Sequence, residues 1–71
     1  MKVTLRNRRT GEFLTSSGSW VASGLQAHNF GYSDAAEEAC EQLGLPDIHV
    51  FYIFNNPQLN YGSMANCGAA A

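Results

Sequence analysis

The side chains of this chain best suited to catalysis or metal binding are Cys40, Cys67, His28 and His49. A thiolate beside an imidazole makes a nucleophile, and four such ligands converging on one point would hold zinc. Their spacing supports neither. No Cys-x-x-Cys or His-Glu-x-x-His pattern occurs, and each histidine is isolated. Cys40 falls among small apolar residues and reads as a core position. Cys67 lies near the end of the chain and is expected to be reduced. A Cys40–Cys67 bridge is the alternative, disfavoured if the protein works in a reducing compartment. A single lysine, Lys2, leaves no lysine for a phosphate loop or a Schiff base in the body of the chain. No catalytic residue, cofactor, metal site or small-molecule substrate is evident, and the chain is expected not to be an enzyme.

Charge is distributed unevenly. The four basic residues, Lys2, Arg6, Arg8 and Arg9, all precede the six acids, Glu12, Asp34, Glu37, Glu38, Glu41 and Asp47. The formal net charge is −2, so little drives non-specific binding to nucleic acid. Arg6, Arg8 and Arg9, with Phe13 and Trp20 close in sequence, could still contact phosphates and stack bases. The competing reading is a hairpin tip whose charges discourage edge pairing. Glu37 and Glu41 lie one helical turn apart, on a face expected to meet water, where acid–base chemistry has no support. No lysine or arginine of the same helix offsets them, so a basic surface, such as Arg8 and Arg9 of another copy, suits that face.

The elements follow from periodicity. Val3–Asn7 alternates as a half-buried strand. Arg8-Arg9-Thr10-Gly11 reads as a tight loop with Gly11 at positive φ, and Glu12–Thr15 as the returning strand. Trp20 and Val21 suggest a further short strand. Residues 22–32 lack a period and are read as irregular, anchored by Leu25, Ala27 and Phe30. A helix follows, capped by Ser33 or Asp34, with Ala36, Ala39, Cys40 and Leu43 as its apolar stripe and Gly44 as a left-handed stop. Ile48–Phe54 is the strongest strand, apolar on both faces. From Gln58 the chain reads as a partly flexible tail, with residues 68–71 mobile.

These elements predict one α+β domain over residues 1–71 with an ordered core of about 2–57. The expected architecture is a three-stranded antiparallel sheet, order 2-1-3, with one helix on one face (ββαβ). Thr10-Gly11, Phe13, Gly18-x-Trp20, Ala27-x-x-Phe30, Ala36, Gly44-Leu45, Asp47 and Pro57 together resemble a set of small uncharacterised bacterial proteins. That resemblance spans roughly residues 3–60 and implies the same strand and helix order, with no activity, ligand or catalytic residue attached.

One helix covers one sheet face, which leaves a face of the last strand in search of a cover. The sequence therefore points to a protein-association module, first of all a homodimer, with Arg8, Arg9, Trp20, His49, Phe51 and Ile53 as its interaction residues. Nucleic-acid binding through Arg6, Arg8 and Arg9 is the second reading. The start of the chain lacks a basic segment followed by an apolar stretch, and the expected compartment is the cytoplasm.

Overall fold

The computed structural model describes residues 1–67. Alternating Lys2–Asn7 forms β1, and the β-branched and aromatic run Ile48–Ile53 forms β4. The two pair antiparallel along their whole length, from Lys2 opposite Ile53 to Asn7 opposite Ile48. Around this pair stand three two-residue strands: β2 (Phe13–Leu14), β3 (Trp20–Val21) and β5 (Tyr61–Gly62). The sheet thus has five strands in the order β3-β2-β1-β4-β5, all antiparallel, rather than the expected three. The reason is local. Gly18, at φ +90°, turns the chain so that Trp20 and Val21 return along β2. The Pro57–Leu59 turn brings Tyr61 and Gly62 back along β4, and the segment expected to be a flexible tail supplies an edge strand instead.

The β1–β2 loop forms as the sequence predicts. Gly11 sits at φ +79° and donates to the Asn7 carbonyl, while Asn7 donates to Glu12. The pairing of β2 with β1 is confined to Arg6 opposite Phe13, so the first half of β1 needs another partner on that side. The irregular segment provides it: Val3 N–H donates to Asn29 Oδ1, and Phe30 N–H donates to the Val3 carbonyl. Ala27 is buried and Phe30 packs on the core, but Leu25 is 92% exposed and anchors nothing.

The helix α1 spans Ser33–Leu43 and ends at Gly44, φ +64°. Its N-cap is Tyr32, with no side-chain capping bond, in place of the expected Ser33 or Asp34. Ala36 and Cys40 are fully buried against Val3, Leu5, Leu14, Ile48 and Val50, and Ala39 packs beside them. Small side chains on the stripe let the helix lie close to the sheet. Leu43, expected in the stripe, is 39% exposed. The register settles which face α1 covers: Ile48 and Val50 point to it, and His49, Phe51 and Ile53 point away.

Cys40 and Cys67 form a disulfide, correcting the expectation of two free thiols. The turn after β5 carries Cys67 back beside β4, where its N–H donates to the Ile48 carbonyl, and the two Cα atoms stand 6.0 Å apart. The expectation for residues 68–71 lies outside the described residues. No helix is long and apolar enough to cross a membrane among the described residues.

Candidate protein-association surface

Strand alternation sorts the outer face of the sheet, the side away from α1. Phe13 pairs with Arg6 and with Val21, and Arg6 with His49, so all four share this face with Lys2, Thr4, Phe51 and Ile53. Its centre is aromatic. Phe13 meets Phe51 edge to face at 5.5 Å, and the Arg6 guanidinium lies 5.3 Å from the Phe51 ring centre. A cation over a ring face is worth about 0.5–1 kcal/mol at an exposed site, so this contact orients Arg6 more than it stabilises the fold. Phe13, Val21, Phe51 and Ile53 are partly buried.

One end of this face opens into a cleft of about 710 Å³. Phe13 and Ile53 form its floor, with Leu25 and Phe54 among its walls. The backbone of Gly24 presses on the floor: a Cβ there would stand 3.1 Å from Ile53 Cδ1. Lys2 Nζ donates to the carbonyls of Gly24 and Leu25 and holds this wall in place. Neither Lys2 nor Arg6 forms a salt bridge among the described residues.

The other end is closed by the chain itself. His49 is 5% exposed, its ring packed against Gly62 so closely that a Cβ there would overlap Cε1. Nδ1 stands 3.1 Å from the Ser63 carbonyl. A carbonyl only accepts, so Nδ1 carries the proton, and the buried Nε2 has no partner among the described residues. Burial pushes the imidazole pKa below its ordinary value of 6.5. The positive charges of Arg8 and Arg6 push the same way, and the bond to Ser63 opposes them. Thr4, opposite Phe51, is fully buried, and its Oγ1 also lacks a partner among the described residues.

The structure divides the six interaction residues expected from the sequence. Phe51 and Ile53 lie on the outer face. His49 lies there too but is covered. Trp20 pairs with Leu14 on the opposite side and packs on the core. Arg8 reaches past the sheet edge to donate to the carbonyls of Ser63 and Met64, and Arg9 stays exposed at the loop tip. Arg6 and Arg8 both lie close enough to His49 to act on its charge, while Arg9 is exposed at the loop tip. Phe13, Val21 and Leu25 belong to the outer face but were missing from the expected set. The alternation of Phe13 with Leu14 carried a signal for the first; nothing local marks an exposed Leu25.

The four side chains weighed for chemistry do not come together. The cysteines are joined to each other, His49 is buried on the outer side, and His28 stands edge to face with Phe30 at 4.6 Å. No group of three or more His, Cys, Asp or Glu side chains suited to a metal ion occurs among the described residues. No family model, curated relative or solved structure matches this chain.

Proposed function

We propose that this domain is a non-enzymatic association module that binds a second copy of itself through the outer face of the sheet, its smallest unit a homodimer. The observation that carries this reading is the incomplete cover of the outer face, which the chain closes over Thr4 and His49 and leaves open at Phe13, Phe51 and Ile53. A single helix packs on Ile48 and Val50, while Phe13, Val21, Phe51 and Ile53 are only partly buried and lie near the exposed Leu25. A contiguous apolar patch of this kind on a small domain marks an interaction surface, and small domains gain stability from the added burial.

Sedimentation equilibrium over a wide concentration range tests it, with Phe51→Asp and Val50→Asp as a matched pair. Wild type is expected to self-associate. Phe51→Asp should remain folded and become monomeric. Val50→Asp should unfold, because an aspartate beneath α1 is a buried charge without a partner. A wild type that is monomeric at every concentration overturns the reading.

The cytoplasmic compartment expected from the sequence belongs to the same proposal and is set against the Cys40–Cys67 bridge, which is at home where conditions oxidise thiols. Acid-quenched alkylation of the protein in its cells separates them: free thiols support the cytoplasm, and a linked pair removes it.

A further inference from the structure

We infer that the copies associate head to tail, the acidic helix α1 of one molecule docking on the Arg6 side of the sheet of the next. This rests on the self-association reading and names the surface that meets the outer face. The argument is charge complementarity between two opposite sides of one molecule. On one side, Asp34, Glu37, Glu38 and Glu41 are all exposed along α1, and the helix has no lysine or arginine. On the other, Arg6 lies over Phe51 and Lys2 stands at the rim of the apolar cleft, with no salt bridge to either among the described residues.

Three pairings of these surfaces can be compared. Outer face on outer face brings Arg6 and Lys2 against the same two cations. Helix on helix brings four carboxylates against four. Both repel, and like charges set face to face exclude a partner. Helix on outer face is the arrangement of the three that sets acids against bases, with Arg6 meeting the carboxylates of α1. Because the donor and acceptor surfaces lie on opposite faces of the sheet, one contact leaves the complementary surface of each end molecule open. The contact is heterologous, and association continues past the dimer unless a ring closes.

The test uses the full chain in three forms, each checked for fold by circular dichroism: wild type, Arg6→Glu, and Glu37→Arg/Glu41→Arg. In sedimentation, the wild-type average mass should rise past that of a dimer with concentration. Association should weaken roughly tenfold or more when salt rises from about 0.02 M to about 0.5 M, where the screening length falls well below the size of the molecule. Each variant alone should associate far more weakly, since a glutamate at position 6 then faces Glu37 and Glu41, or arginines at 37 and 41 face Arg6. Mixing the two variants should restore association, because each supplies the charge the other's surfaces need. Should Arg6→Glu fail to fold, Arg6→Gln replaces it, with the helix variant, altered only at exposed positions, carrying the comparison. A wild type that stops at a dimer, indifferent to salt and to both charge changes but broken by Phe51→Asp, overturns head-to-tail docking and leaves association through the outer face standing. A wild type that is monomeric throughout overturns both.

Discussion

Gly62 and His49 show how single residues decide the edge of this sheet. The imidazole occupies the space where a side chain at position 62 would begin, so Gly62→Ala forces either the ring or β5 to move. Overpacking of this kind costs about 1–3 kcal/mol, and chemical denaturation should show a loss of that size. His49 adds a dependence on pH. Its folded pKa lies below the ordinary 6.5, so between the two values the unfolded chain holds more protons than the folded one. Stability is therefore complete above pH 6.5, falls as pH drops below it, and levels off once the folded imidazole is itself protonated. His49→Phe should remove the part of that slope the imidazole supplies; equal slopes in the two proteins would exclude His49 as its source. Neither effect is legible in the sequence, where His49 is one residue of an apolar strand and Gly62 one glycine near the end of the chain. Each acquires its meaning only when the other is folded against it.

At the scale of elements, the segment from Tyr61 to Cys67 is the part of the fold most dependent on tertiary ties. β5 contributes two residues to the ladder, with Ser63 N–H donating to Val50 and Cys67 N–H to Ile48. Tyr61 stacks on Tyr52 at 4.8 Å, and Arg8 holds the carbonyls of Ser63 and Met64. The Cys40–Cys67 bridge then closes the segment onto α1. A bridge spanning 27 residues stabilises by about 3 kcal/mol through restriction of the unfolded chain. Reduction should lower stability by about that amount. Hydrogen exchange should quicken first at the amides of Ser63 and Cys67, ahead of those of β1. Exchange at Ser63 and Cys67 unchanged by reduction would mean that the ladder and Arg8 hold the segment without the bridge. The long strands, the β1–β2 loop and the helix were readable because each carries its own periodicity or turn chemistry. Two-residue strands have no period to read, and a pairing between cysteines 27 residues apart is a matter of tertiary distance.

For the whole molecule, the arrangement that matters is a sheet with an acidic helix on one side and an aromatic, arginine-bearing surface on the other. The sequence by itself determined the alternation of β1 and β4, the turn at Gly11, the helix and its stop at Gly44, and the separation of basic from acidic residues along the chain. These are properties of neighbours within a few positions, set by backbone sterics and local burial patterns. It also showed that one helix could not cover a strand apolar on both faces. Only the tertiary structure decided that Ile48 and Val50 meet α1 while Phe51 and Ile53 do not, because both faces of β4 are apolar and register alone breaks the tie. It also turned Arg8 toward the Ser63 and Met64 carbonyls, left Arg6 over Phe51, and made an edge strand of a segment that reads as a tail. Those outcomes depend on contacts between residues far apart in the chain, whose energies no local pattern records.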